Sequence, residues 1–269
     1  MRRPWPQVRR RVLTPYWVHV VWLVLGSAFF AVGPPLVTRT ARSAGDLVLG
    51  MAVGYTNTWY LYALAAYLLV ARLAVRLPLR VALGAAAVVA VLADTPVAPR
   101  IGTAAGLMAN LLFFLVGALA PGWVDTLLAR ADARATARVV AAYLPLAGLA
   151  VAAGVSRLGV FSTLLSVFGK PAGVLLAVRA ADTRPAALLA RLGRVTLPVY
   201  VLHLPLLALL HAAVPALPPG RVVLATLYPV LAVLALTAVA LAVHAALVRC
   251  GLGVLFRLPR TGRDLASVR

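Results

Sequence analysis

Eight long apolar runs occupy most of this chain and limit the folds open to it. Most are roughly 17 to 25 residues long, enough for a helix to cross a bilayer core of about 30 Å. A backbone inside a bilayer must satisfy its own hydrogen bonds, so such runs form helices. We predict an all-α, polytopic transmembrane bundle, one membrane domain covering 1–269. Its eight spans are expected at about 17–37, 57–75, 79–93, 104–120, 138–154, 158–178, 195–214 and 222–248, with a tight turn at Gly154–Arg157 between the fifth and sixth.

The composition supports an integral membrane protein. Hydrophobic residues make up 63% of the chain, the mean hydropathy is +0.98, and only 12% of residues are charged. A soluble domain of this length carries about twice that charged fraction. The first run follows a charged start but is too long for a signal peptide and lacks a small-residue cleavage site, so it is predicted as a retained span. The single Cys250 excludes an internal disulfide, and no metal cluster is expected.

The net charge of +20 predicts the orientation in the membrane. With the N-terminus in the cytoplasm, 20 of the 26 Lys and Arg residues fall in cytoplasmic segments and five on the opposite side, a bias typical of positive-inside sorting. We therefore expect both termini in the cytoplasm, contact with membrane lipid, and no nucleic-acid partner. The five on the opposite side are Arg39, Arg42, Arg100, Arg157 and Arg221.

A basic cluster, Arg9-Arg10-Arg11, precedes the first run. One interpretation is a positive-inside anchor, with Tyr16 and Trp17 at the membrane interface. The other is a phosphate clamp at the cytoplasmic mouth, because arginine forks bind phosphate in bidentate fashion and acyl-CoA carries phosphates. Composition alone does not separate the two.

Aromatic residues crowd the start of the second span, in Asn57-Thr58-Trp59-Tyr60-Leu61-Tyr62. An interfacial aromatic belt explains them, and Asn57 could cap the helix. The functional alternative is that Trp59 and Tyr60 line a substrate pocket near the outer face.

Lys170 is a cation predicted near the middle of the sixth span, within Phe168-Gly169-Lys170-Pro171. A charge there is costly and the proline frees a backbone carbonyl. Either this stretch is an interhelical turn, or Lys170 faces a polar interior and holds an anionic group of the substrate.

The seventh span begins with two polar aromatic residues near its cytoplasmic end. Tyr200 and His203 are three residues apart and share a helix face, with Pro198 and Pro205 beside them. A histidine hydrogen-bonded for packing is one interpretation. The other is a general base or a group that orients the substrate, because histidine titrates near neutrality. His19, His211 and His244 are isolated and receive no chemical role.

The acidic residues argue against an ion-coupled transporter. All six Asp and Glu fall in predicted loops or tails, so the usual intramembrane carboxylate is missing.

Four stretches resemble the acyltransferase 3 family of multi-span membrane acyltransferases. Gly193–Pro205, with G-R-x-T-L-P-x-Y-x-L-H-x-P, resembles a late span of that family. Arg11–Tyr16 is similar to the basic R-L-L-x-P-Y start of its third span, Asn57–Leu61 to its W-F-L segment, and Asn110–Ala118 to its F-F-x-x-G-A span. The four occur in the family's order.

The resemblance implies a transferase that moves an acyl group, often acetyl, from acyl-CoA to a hydroxyl of a glycan, a lipid or a small molecule. Acyl-CoA would be the co-substrate, with no resident cofactor, and Arg9, Arg10 and Arg11 would bind the donor. Tyr200 and His203 would line the path of the acceptor. The expected location is the bacterial plasma membrane.

The resemblance also places this chain from the family's third span onward. The family's first two spans, which carry a basic residue and about eleven positions later the presumed catalytic His, have no counterpart, and Val8 stands where the basic partner of His19 would be. We therefore expect an N-terminally truncated member, inactive in this form if that histidine is essential. The alternative is a non-catalytic membrane component or transporter subunit.

Overall fold

A computed structural model describes residues 5–34, 41–54, 56–93, 95, 103–154, 159–213 and 222–259. These residues form eleven α-helices and one short 3₁₀ helix, Leu252–Leu255, and they contain no strand. The α-helices are α1 (Trp5–Val32), α2 (Ala44–Val53), α3 (Trp59–Ala74), α4 (Leu79–Leu92), α5 (Ala104–Leu119), α6 (Pro121–Ala129), α7 (Ala133–Ala152), α8 (Gly159–Ala180), α9 (Arg184–Gly193), α10 (Thr196–Ala213) and α11 (Val222–Arg249).

The chain divides into two compact units. One contains Met1–Trp5 and Ala66–Leu192, and the other contains Pro6–Ala65 and Gly193–Arg269. In the first unit α4 packs on α5, α7 packs on α8, and α8 also contacts α4 and α6. In the second unit α10 packs on α11, and the 3₁₀ helix folds back on α11.

Local sequence explains several helix ends. The Ser43 hydroxyl accepts the Asp46 N–H at 3.1 Å while the Asp46 carboxylate accepts the Ser43 N–H at 3.0 Å, a capping box that begins α2. The N–H of Arg42 and then the Ser43 hydroxyl hold the pKa of Asp46 below its ordinary value. Asp132 caps α7 by accepting the Ala135 N–H at 2.6 Å.

The predicted all-α membrane bundle is confirmed, but the count of eight spans is not. Five helices of the described chain are long and apolar enough to cross a bilayer. A sixth span would require α5 and α6 together, and these bend by 83° at Ala120. Helices α2, α3 and α4 have only 10, 16 and 14 residues. Hydropathy alone cannot count spans, because a short apolar helix inside a bundle has the composition of a spanning one.

The predicted spans locate most helices well. Six of the eight match α3, α4, α5, α8, α10 and α11 within two residues at each end. The first differs, because α1 begins at Trp5 and ends at Val32 rather than running over 17–37, so Arg9–Arg11 lie on a helix and not before it. The fifth differs too, because α7 begins at Ala133 rather than at 138. Helices α2, α6 and α9 were not predicted.

Some predictions fall outside the described residues. They include positions 35–37 of the first span, positions 158 and 214, and the turn after Gly154. Nine arginines of the orientation argument also fall there, namely Arg2, Arg3, Arg39, Arg100, Arg157, Arg221, Arg260, Arg263 and Arg269.

Candidate functional site

A buried histidine in the middle of α1 organises the polar interior of the second unit. His19 is fully buried, and its Nε2 lies 3.0 Å from the carbonyl oxygen of Gly50 at the end of α2. Its Nδ1 lies 2.9 Å from the Thr58 hydroxyl, which is 3.1 Å from the Thr56 hydroxyl. A hydrogen on Nε2 donates to the Gly50 carbonyl, which only accepts, while Nδ1 contacts both the hydroxyl of Thr58 and, at 3.2 Å, its carbonyl oxygen. His19 thus fastens α2 and the following turn to α1.

Glycine is required at two positions here, Gly50 within α2 and Gly54 at its end. A Cβ on Gly50 would lie 2.9 Å from the Thr56 methyl carbon and 3.1 Å from a Leu23 methyl carbon. Gly54 ends α2 in the left-handed region at φ 68°, and a Cβ there would lie 2.5 Å from the Tyr62 ring. The backbone of the turn therefore lies in direct contact with its neighbours.

Tyr200 joins α10 to the start of α3. Its hydroxyl donates to the Asn57 carbonyl at 3.0 Å and accepts the N–H of Tyr60 at 3.1 Å. The Tyr60 N–H is one of the first-turn donors that have no partner inside a helix, so Tyr200 serves as a cap from a distant part of the chain. The Tyr200 hydroxyl thereby acts both as a hydrogen-bond donor and as an acceptor. Tyr200 thus positions the turn, and its predicted role in lining the path of the acceptor stays a prediction.

Three predicted residues form one aromatic row with Tyr200. The Tyr200 ring centroid is 5.8 Å from that of Tyr60 and 5.8 Å from that of His203, and Trp59 meets Tyr60 edge-on at 6.2 Å. Tyr60 is 51% exposed, so one end of the row is open. The structure thus brings together Trp59, Tyr60, Tyr200 and His203.

The hydrogen bond of His203 determines which ring nitrogen can act as a base. Its Nδ1 is bonded to the Tyr200 carbonyl one turn earlier. Since the carbonyl is an acceptor, Nδ1 carries the hydrogen, and Nε2 of the neutral ring keeps its lone pair. The half-buried ring is therefore held in the tautomer that a general base needs.

A small cavity lies beside this row within the same unit. It measures about 30 Å³, room for about two water molecules, and is far too small for a coenzyme. The Ser27 hydroxyl on its wall is a buried side-chain oxygen that has no hydrogen-bond partner among the described residues. Pro205 lacks the N–H that would bond the Val201 carbonyl. The wall comprises Trp22, Leu23, Gly26, Ser27, Phe30, Thr56, Asn57, Thr58, Tyr200, Val201, Leu204 and Pro205.

The arginines predicted to bind the donor lie on the first turns of α1, in the same unit. Arg9 and Arg11 are exposed and Arg10 is half-buried, with its carbonyl accepting the Thr14 hydroxyl at 2.8 Å. From Arg10 to His19 the helix rises about 14 Å, at about 1.5 Å per residue. The arginines are therefore separate from the aromatic row, at one end of the helix whose middle carries His19.

Lys170 belongs to the other unit. It lies within α8, which continues through Pro171, so the interhelical-turn alternative is wrong. The Lys170 ammonium donates to the Asn110 side-chain oxygen at 3.2 Å and sits 3.2 Å from the centre of the Phe113 ring. A cation–π contact and an amide oxygen stabilise the charge without an anion. Its predicted role in lining the substrate stays a prediction.

One of the predicted locations is wrong. Asn57–Tyr62 was expected near the outer face and Tyr200 near the cytoplasmic face, yet Tyr200 is hydrogen-bonded to both Asn57 and Tyr60. The two groups lie at one depth, so they cannot lie on opposite faces.

Comparison with known protein families identifies the chain. The family model described as an acyltransferase domain, that of acyltransferase 3, matches residues 3–248. The chain belongs to the acyltransferase 3 family. This acyltransferase 3 protein is a multi-pass integral membrane protein, and its family-level activity is acyl transfer. No curated protein and no solved structure is similar enough to count as a match.

The motifs that carried the resemblance lie on helices of this acyltransferase 3 protein. Arg11–Tyr16 lies in α1, the tryptophan of the W-F-L-like segment begins α3, Asn110–Ala118 lies in α5, and Gly193–Pro205 leads into α10.

Sequence reasoning missed His19, although a histidine inside an apolar run is costly enough to signal a polar partner. Its partners, Gly50 and Thr58, gave no comparable signal.

Proposed function

We propose that this protein is a membrane O-acyltransferase that moves an acyl group, acetyl foremost, from acyl-CoA to a hydroxyl of a glycan, lipid or small molecule. The observation that carries the proposal is the family match over residues 3–248. In this reaction the acceptor oxygen attacks the thioester carbonyl and loses its proton to a base, and the coenzyme leaves as its thiol. The chain needs a base, a site for the donor phosphates and a path for the acceptor.

His203 is proposed as the base. The hydrogen bond from Nδ1 to the Tyr200 carbonyl leaves the Nε2 lone pair as the proton acceptor. A positioned general base contributes about 10²–10⁴-fold in rate. Tyr60 and Trp59, at the open end of the row, would contact the acceptor, and Lys170 would contact an anionic group of a substrate.

Arg9, Arg10 and Arg11 are proposed to hold the donor phosphates. Arginine binds phosphate through two parallel N–H donors, and exposed side chains at a helix end can close on a mobile ligand. The cavity beside Tyr200 is too small for the coenzyme, so the donor phosphates require a separate site.

The test is transfer from radiolabelled acetyl-CoA by the purified full chain in nanodiscs, with host membrane lipid and glycan fractions as acceptors. We expect labelled product, and we expect His203→Ala to lower kcat about 10²–10⁴-fold. His211→Ala, on the exposed end of the same helix, is the matched control and should leave the rate unchanged. His203→Ala activity equal to that of the wild type would refute the assignment of the base.

Donor binding is tested separately from chemistry. Calorimetric titration with desulfo-CoA, which cannot react, should show binding that the triple change Arg9→Gln, Arg10→Gln, Arg11→Gln weakens at least tenfold. The same change at Arg72, Arg76 and Arg80 removes equal charge and should have little effect. Donor binding without transfer to any acceptor would support a non-catalytic membrane component instead.

A further inference from the structure

Helix α9 lies between two candidate membrane spans. Helix α8 ends at Ala180 and α10 begins at Thr196, so the ten residues of α9 connect two helices that both reach a membrane surface. The helix is too short to cross, at about 15 Å for its ten residues. Its position in the chain therefore places it at a membrane surface.

Thr183 fixes the corner between α8 and α9. Its hydroxyl donates to the Ala180 carbonyl at 2.7 Å and accepts the N–H of Ala186 at 3.4 Å. Its carbonyl accepts the N–H of Ala187 at 3.0 Å. The first turn of α9 is thus held within a few residues of the end of α8, which keeps the helix close to the surface that α8 reaches.

The apolar face of α9 points away from the protein. At about 100° per residue, the side chains of Pro185, Leu188, Leu189 and Leu192 share a sector about 100° wide. Leu188 is 60% exposed and Leu189 67% exposed. A helix that packed this face on the protein would bury its leucines. The half-buried residue of α9 is Ala186, which lies outside this sector. The apolar face is therefore not part of the protein core.

The two basic residues of α9 lie together along one edge of that face. Arg184 and Arg191 lie at nearly the same angle, about 40–60° from Leu188, and both are exposed. The side of the helix opposite the leucines, which would face water, carries only Ala187 and Ala190. In an interfacial helix the leucines face the acyl chains and the arginines lie at the membrane boundary, where their guanidinium groups contact lipid phosphates.

We propose that α9 is an interfacial anchor that lies in the membrane plane and binds anionic phospholipid headgroups through Arg184 and Arg191. The occupant of its leucine face is lipid, because charge complementarity and the connections to α8 and α10 favour a bilayer surface. The exposed arginine of the last turn of α8, Arg179, adds a third cation beside the same corner, where the exposed Asp182 is the one acidic residue. Each arginine near an anionic surface favours binding by about fivefold.

Spin labels test the orientation of the helix in the full chain. Cys250→Ser supplies a cysteine-free background, since the chain has one cysteine. In liposomes of phosphatidylcholine and phosphatidylglycerol, labels at Leu188→Cys and Leu192→Cys should be accessible to oxygen and shielded from a water-soluble nickel chelate. Labels at Ala187→Cys and Ala190→Cys should show the reverse. Equal access of the chelate to all four, or shielding of the leucine positions from both reagents as by a protein partner, would overturn the proposal.

Lipid selectivity is tested by native mass spectrometry of the full chain with equal phosphatidylglycerol and phosphatidylcholine. We expect the double change Arg184→Gln, Arg191→Gln to lower retention of phosphatidylglycerol relative to phosphatidylcholine by about tenfold or more. The control Arg130→Gln, Arg134→Gln removes the same charge from exposed positions and should change the ratio less than twofold. Equal loss in both variants would show attraction by net charge alone and overturn the assignment to α9.

Discussion

Replacing His19 should loosen the second unit by an amount that follows from its two hydrogen bonds. His19→Leu removes the bond to the Gly50 carbonyl at 3.0 Å and the bond to the Thr58 hydroxyl at 2.9 Å. The Gly50 carbonyl keeps the N–H of Gly54, also at 3.0 Å, so it is not left without a donor. At about 1 kcal/mol per bond in proteins and about 0.6 kcal/mol between membrane helices, we expect a loss of about 1.5–3 kcal/mol once the imperfect fit of leucine is included.

Two partial replacements divide that loss between the partners. The amide of His19→Gln can reach the position of Nε2 and donate to Gly50, while that of His19→Asn can reach the position of Nδ1 and accept from Thr58. Each should cost less than His19→Leu. A double-mutant cycle of His19→Leu with Thr58→Val should show a coupling of about 0.6–1.7 kcal/mol, from the mean to the maximum found between membrane helices.

The free energy of unfolding is measured by equilibrium denaturation in mixed detergent micelles, followed by the fluorescence of the five tryptophans. His211→Leu, at an exposed position, is the control and should change the free energy by less than about 0.5 kcal/mol. If His19→Leu were as stable as this control, or if the cycle with Thr58 showed no coupling, the polar network would not hold α2 against α1.

Three further predictions concern the same unit. Gly54→Ala should cost about 1–2 kcal/mol for the left-handed backbone and more for the approach to Tyr62, whereas Gly84→Ala, where no neighbour lies within 4 Å, should be neutral or stabilising by up to about 1 kcal/mol in thermal denaturation. Tyr200→Phe should cost about 1–2 kcal/mol for two lost hydrogen bonds and should increase amide hydrogen exchange at the start of α3. The lowered pKa of Asp46 means that its carboxylate stabilises α2 above about pH 4, the ordinary Asp value, and that this contribution disappears as the pH falls through the lowered pKa. Asp46→Asn should therefore flatten the acid limb of the stability profile, and an unchanged acid limb would contradict the capping box.

The sequence predicted the helices of this fold well and their roles less well. Long apolar stretches of sequence give the positions of helices, because a helix that crosses a membrane must be apolar along its whole length. Helices α10 and α11 were predicted to within one residue at each end. Helix α9 was missed because its leucines and arginines lie on different sides of a helix, so the segment as a whole is not apolar and a search for apolar runs passes over it. Helix α2 was missed because ten residues between Ser43 and Gly54 resemble a loop.

The residues of the candidate site were likewise predicted in part. Tyr200 and His203 were found because polar aromatic residues are conspicuous at the start of an apolar span. The contacts of Tyr200 with Tyr60 and Asn57 connect positions about 140 residues apart, and no local pattern encodes such a pairing. His19 carried the same cost signal as His203 and also follows a tyrosine, Tyr16, by three residues. Its partners on α2 and on the turn before α3 are far from it in the chain, so they were visible only in three dimensions.

The contacts around the turn before α3 also show why the two side predictions conflict. Three segments were predicted at one membrane face, namely the first half of α1, the start of α10 and the end of α11. The structure gathers them, since the indole N–H groups of Trp17 and Trp22 donate to carbonyls of the 3₁₀ helix after α11, at 2.9 and 2.8 Å, and Trp22 packs with Val201 of α10. The turn lies among these segments, because His19 holds it to α1 and Tyr200 holds it to α10. The hydrogen bonds of His19 therefore hold the end of α2 and the turn at the level of the middle of α1. A ten-residue apolar helix is too short for hydropathy to recognise it as part of this packing, and counting arginines cannot place it on either face, because Arg42 is the only one between α1 and Arg72 that the structure describes.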